Sequence, residues 1–130
     1  MLFRSALNDK YGHQGGDLTL TVSAKIIKDM LRAYDIFGRI GGEEFAILLP
    51  ETSHEVALQI GQRIRQAIED STITFLTHKI NITASIGVAT NTEDQCSLEA
   101  LMFQADKKLY CAKRQGRNAV IGMTLSDFEI

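Results

Sequence analysis

The sequence predicts an α+β domain, with a central, mostly antiparallel sheet wrapped by helices. Three observations carry this. Apolar residues recur at helical spacing in three separate segments, which gives each one buried face. Residues 80–88 alternate strictly between apolar side chains and small or polar ones, the pattern of a strand with one covered face. Two strand-length apolar runs, Tyr34 to Ile40 and Phe45 to Leu49, flank a pair of adjacent glycines. Helices set on an antiparallel sheet define the class.

The totals bound the problem. A chain of 130 residues buries one core without staples, so a single domain is expected. Its net charge of -2 argues against a non-specific binder of nucleic acid or membrane surfaces. No apolar run approaches the length of a membrane span, and no basic segment followed by an apolar one opens the chain. Cys96 and Cys111 have no metal-ligand partner at useful spacing and read as free thiols in a reducing compartment. The cytoplasm is therefore expected.

Met1-Leu2-Phe3 reads as the tail of a strand, and Asn8 to Asp17 as a glycine-rich polar loop. Asp17 is placed to cap a helix whose stripe is Leu18, Val22, Ile26 and Met30. The two hairpin strands follow, and Pro50 ends the second. Thr52 and Glu55 have capping-box spacing before a second helix striped by Val56, Ile60, Ile64 and Ile68. Thr72 to Leu76 is expected to pair with the alternating strand over 80–88, and a polar loop follows it. Ser97 caps a third helix, striped by Leu98, Leu101, Met102, Ala105, Leu109 and Ala112 and ended by Gly116. Asn118 to Met123 is a short last strand. Residues 1–123 thus form the domain and 124–130 a tail.

The chemistry concentrates at Arg39-Ile40-Gly41-Gly42-Glu43-Glu44-Phe45. Adjacent glycines accept the positive φ that a tight hairpin needs, and the two carboxylates place negative charge at its tip. Strand alternation sets Glu43 and Glu44 different tasks. These residues alone are equally a solvated turn.

Three ordered segments go further: Asn8 to Asp17, Arg39 to Phe45, and Ala105-Asp106 through Leu109-Tyr110, Ala112-Lys113 and Gly116-Arg117-Asn118. Together with Ser85-Ile86-Gly87-Val88 they resemble the GGDEF family of diguanylate cyclases, in the GGEEF version of its signature. The resemblance implies condensation of two GTP molecules into cyclic di-GMP with Mg2+ or Mn2+, each GTP held by one of two domains meeting face to face. It also implies an upstream sensory or regulatory domain. By the same resemblance Asn8 and Asp17 recognise guanine, His13 contacts substrate, and Gly41 and Gly42 form the substrate hairpin. Glu43 carries metal and activates the attacking hydroxyl, with Glu44 its catalytic partner, and Lys113 and Arg117 take phosphate. Arg32 and Asp35 resemble the family's RxxD inhibitory product site, completed by Arg63. Asp106 and Tyr110 are assigned to structure.

One departure stands out. The family carries Asp-x-Asp on the strand before the Asn-Asp pair, the first aspartate binding metal. Counting back from Asn8 sets Leu2 on the second aspartate and leaves the first before Met1. The expectation is a truncated form of a competent enzyme, with an incomplete first strand, little activity of its own and a sheet edge open to strand exchange. The alternative is a non-catalytic module that binds cyclic di-GMP or GTP.

Overall fold

The computed structural model describes residues 2–5, 12–91 and 97–123. Along the chain run β1 (Leu2–Ser5), α1 (Gly12–Met30), β2 (Ile36–Gly41), β3 (Glu44–Leu48), α2 (His54–Asp70), β4 (Ile73–Phe75), β5 (His78–Ile80), β6 (Ala84–Gly87), α3 (Leu98–Arg114) and β7 (Val120–Ile121). Five strands form one sheet in the order β2-β3-β1-β6-β7, and β4 and β5 form a separate ribbon. All pairings are antiparallel except β6 with β7. The α+β expectation holds.

Period-two alternation in β3 sorts the core onto two faces. Phe45 and Ile47 are buried with Ile27, Ile64 and Ile68 on the side covered by α1 and α2. Phe45 stacks on Phe37 across the β2–β3 pair at 5.3 Å between ring centres. Ala46, pointing the other way, packs on Ala105 and Leu109 of α3. Each large aliphatic chain so buried is worth about 1.5–3 kcal/mol. β6 is covered on both faces, and at Gly87 the backbone of α3 comes down onto the strand. A Cβ there would overlap the Ala105 carbonyl oxygen and the Leu109 nitrogen, and would lie 2.9 Å from Leu109 Cα. Only glycine permits that approach.

The last segments are tied down by His54, the first residue of α2. Met123 N–H donates to His54 Nε2 at 3.0 Å, so Nδ1 carries the proton and donates to Thr90 Oγ1 at 2.7 Å.

Several local expectations are corrected. The segment Gly12 to Asp17 is helical rather than loop: α1 starts at Gly12, and Asp17 lies inside the helix instead of capping it. Glycine weakens a helix by about 1 kcal/mol without forbidding it, and packing of the long inner face outweighs that cost. The centre of that face is Thr19, Ser23 and Ile27, with Leu18, Val22, Ile26 and Met30 at its flanks. Small polar residues let α1 approach its neighbours closely, and Thr19 Oγ1 satisfies itself by donating to the Gly16 carbonyl at 2.8 Å. The α2 cap is Ser53, whose Oγ accepts from Val56 N–H, while Thr52 Oγ1 turns back to the Pro50 carbonyl. Val56 is exposed, and Ala57 and Gly61 join Ile64 and Ile68 on the inner face.

Residues 80–88 do not form one strand. Ile80 ends the ribbon paired with Ile73, and Ala84 begins β6 in the main sheet, because the chain must change sheets between them. The final strand is only Val120–Ile121, and Leu98, expected inside, is exposed. β1 occupies the sheet centre, paired with β3 from Leu2 to Arg4 and with β6 from Leu2 to Ser5. Neither neighbour presents an edge along that stretch. The polar-loop expectation falls partly, and the tail wholly, outside the described residues.

Candidate functional site at the hairpin and the end of the third helix

Gly41 has φ of 149° and Gly42 of 46°, values that a Cβ would strain. The register steps between Arg39 and Gly41, so Ile40 sits in a bulge and the turn is drawn tight against Glu44. Arg39 fixes it from below: Nε and Nη2 both donate to the Gly42 carbonyl, at 2.9 and 2.6 Å. Glu43 lies in the turn itself and Glu44 begins β3. Their settings differ because one is a turn residue and the other has a face. By alternation Glu44 shares the Ala46 side, beneath α3.

There Glu44 meets Lys113 of α3, with Nζ 3.7 Å from Oε1. Both side chains are partly exposed, so the pair adds only about 0–1 kcal/mol to stability. Its importance is positional: it brings the cationic end of one helix to the acidic hairpin. Beyond Lys113 the helix closes with Arg117 N–H on the Ala112 carbonyl, and Gly116, Arg117 and Asn118 all take positive φ. Two of these are not glycine, a strained arrangement of the kind found where a side chain must be aimed. Arg65 of α2 braces the turn, its Nη1 donating to Asn118 Oδ1 at 2.9 Å and to Glu69 Oε2 at 2.7 Å. The Arg65 hydrogen bond first, and Asn118 second, hold the Glu69 carboxyl below its ordinary value.

The structure thus joins Glu44 to Lys113, with Gly41, Gly42 and Glu43 on the same hairpin and Arg117 exposed beyond the same helix end. Asp17 is exposed on α1, about one and a half turns from its start. His13 lies in the first turn of α1 by its backbone, and Asn8 lies outside the described residues. Tyr110 and Asp106, expected to serve structure, are exposed on the outer side of α3, because the helix turns Ala105, Leu109 and Ala112 inward.

A second cluster forms at the start of β2. Arg32 grips Asp35 through Nε at 3.0 Å and Nη2 at 2.9 Å, and its own N–H donates to Asp35 Oδ2 at 2.7 Å. Arg32 Nη2 also donates to Thr52 Oγ1 at 2.7 Å, and its guanidinium lies 4.6 Å from the Tyr34 ring centre. Arg63 is exposed on α2. Burial pushes the Asp35 carboxyl up, but the Arg32 hydrogen bonds and charge outweigh it and hold the group below its ordinary value. The unfolded chain therefore binds the Asp35 proton more readily, with a pKa of about 3.9. The stabilisation is complete above that value and fades as pH falls through the folded one. Asp35→Asn should accordingly lower the urea midpoint at neutral pH, and the gap to wild type should close in acid. A gap constant from pH 7 to about 3 would show that this pairing does not set the acid limb.

With this geometry in view, comparison with known proteins is decisive. The family model described as "Diguanylate cyclase, GGDEF domain" matches residues 3–119. The chain belongs to the GGDEF family. It is 43% identical over 118 residues to diguanylate cyclase A of Treponema denticola, covering 91% of this chain and 32% of that protein. It is 39% identical over 122 residues to the response regulator PleD of Caulobacter vibrioides, covering 92% and 27%. The chain thus spans about a third or less of these curated relatives. Among solved structures, diguanylate cyclase SiaD of Pseudomonas aeruginosa, in complex with its activator SiaC, superposes with a TM-score of 0.88 at 32% identity, over 94% of this chain and 48% of that one. The GGDEF domain of DgcB from Caulobacter crescentus, in complex with c-di-GMP, gives 0.87 at 29% identity, over 93% and 74%. No described helix of this GGDEF domain is long and apolar enough to cross a membrane.

Sequence reasoning quoted Arg39 without giving it a role, and missed Arg65 and His54. Arg39 was adjacent to the signature, so its reach to the Gly42 carbonyl was discoverable from the tightness of the turn. The contacts of Arg65 and His54 span 53 and 69 positions, and no local signal announces them.

Proposed function

We propose that this domain condenses two GTP molecules, one held by each of two copies, into cyclic di-GMP and pyrophosphate. The observation that carries the reading is the Glu44–Lys113 contact, which sets a cation for phosphate directly beside the acidic hairpin. Lys113 and Arg117 bind phosphate oxygens, and the Gly41–Gly42 turn lets the nucleotide approach the backbone. Glu43 accepts the proton of the attacking 3′-hydroxyl as that oxygen bonds to the α-phosphorus of the facing GTP and pyrophosphate leaves. Glu44 fixes Lys113, while Asn8, His13 and Asp17 are assigned to the base and sugar.

The donor set suits Mg2+ or Mn2+, since a hard cation takes one or two carboxylates plus phosphate oxygens and waters. Glu43 would hold it, with Glu44 beside. When bound, it neutralises charge on the triphosphate.

Arg32, Asp35 and Arg63 are assigned to product binding. The Arg32 guanidinium is already oriented by Asp35 and Thr52, which favours a preorganised receptor for cyclic di-GMP. That arrangement supports a second reading, a regulatory module that binds cyclic di-GMP or GTP without turnover. Incubation with GTP and Mg2+, followed by chromatography and calorimetry, separates the two. Product that disappears in Lys113→Ala supports the cyclase, calorimetric binding of GTP or cyclic di-GMP without product supports the module, and no product together with no binding of either nucleotide removes both.

A further inference from the structure

Arg65 sits in the second half of α2, and its side chain is only 17% exposed. An arginine is seldom covered to that extent unless its donors are used. Here they are. Nε donates to Gln62 Oε1 at 2.9 Å, Nη2 to Gln66 Oε1 at 3.1 Å and Nη1 to Glu69 Oε2 at 2.7 Å. These three partners belong to its own helix and hold the fork in one orientation. The fourth bond, from Nη1 to Asn118 Oδ1, leaves the helix and crosses 53 positions. Glu69 takes the same amide by its other end, since it shares a hydrogen bond with the Asn118 side chain as well.

Asn118 directly follows Arg117, and both are left-handed, with φ of 49° and 68°. Side chains other than glycine keep that conformation only where their surroundings impose it. Two anchors do so from opposite sides. Arg117 N–H is tied to the Ala112 carbonyl of α3 at 3.0 Å, and the Asn118 side chain is tied to α2. Releasing the second anchor lets the backbone relax toward ordinary φ, which redirects the Arg117 side chain.

We propose that Arg65 is a positioning residue for the triphosphate: through Asn118 it holds the left-handed turn that aims Arg117 at the phosphate oxygens. It touches no ligand itself. The proposal rests on the reading of Arg117 as a phosphate-binding cation. Arginine suits the task because a lysine ammonium has no planar fork with which to engage Gln62, Glu69 and Asn118 at fixed angles.

Calorimetry of GTP binding in Mg2+, with urea unfolding of the same preparations, tests it. Arg65→Ala and Asn118→Gly cut one link from its two ends, and glycine takes the left-handed φ without strain. Each should weaken GTP binding about tenfold, roughly what one charge-assisted hydrogen bond to phosphate supplies. The double variant should lose no more than either single one. In an Arg117→Ala background Arg65→Ala should weaken binding no further, however much it lowers the urea midpoint. The same comparison with Asn118→Gly keeps the test independent of how well Arg65→Ala folds. A purely structural brace would weaken binding equally in both backgrounds. That result, or single variants that bind GTP like wild type, overturns the proposal and leaves the nucleotide reading standing. A wild type that binds no GTP overturns both.

Discussion

Gly87→Ala is expected to destabilise the domain by about 3 kcal/mol or more, lowering the thermal midpoint by roughly 10 °C. The added carbon would overlap two backbone atoms of α3, which cannot swing aside as a side-chain tip would. Relief requires lifting the helix off β6, which opens the packing of Ala105 and Leu109 on Ala46 and Ala89. Total stabilities of about 5–15 kcal/mol leave little margin for that. Thermal and urea denaturation followed by circular dichroism read the effect. A midpoint within two degrees of wild type would mean that α3 does not lie on the strand at this point.

Glu43→Gln is expected to lower cyclic di-GMP formation by about a hundredfold or more, with little change in the unfolding midpoint. The side chain sits in a turn outside the core, so the amide replaces a charge without disturbing packing. What goes is the group assigned to take the hydroxyl proton and to hold the cation. Comparing product formed from GTP with the thermal midpoint of the same preparation separates chemistry from folding. A variant retaining more than half of wild-type turnover would move those roles elsewhere. Glu44→Gln should do less to the chemistry and more to GTP affinity, because Glu44 acts on Lys113.

Much of this architecture was legible in the residues. The hairpin announced itself because paired glycines between apolar runs have few other uses. The Ser97 cap and the inner face of α3 were found because cap chemistry and helical period are local. The inner face of α1 and the first half of that of α2 were displaced by a residue for a physical reason, while Ile64 and Ile68 are buried as expected. Thr19, Ser23 and Gly61 do not count as apolar, yet their small size suits close helix contacts. The break between Ile80 and Ala84 was hidden because burial alternates through it although pairing does not. In the site, the resemblance assigned Lys113 to phosphate but did not foretell its contact with Glu44 of the signature. It gave no hint of Arg39 beneath the turn, nor of Arg65 and His54, whose partners are distant in sequence.

The close seat of α3 on Gly87 also sets a ruler. Lys113 lies one turn past Leu109, about 6 Å along the same rod, so the seat fixes how far the ammonium reaches toward the acidic bend. A substitution that slides the rod by an ångström would pass for a defect in gripping the triphosphate, though it touches no ligand. On the proposed function, mild substitutions elsewhere in the α3 seat, short of a Cβ at Gly87, should therefore surface as raised KM for GTP before they lower the unfolding midpoint.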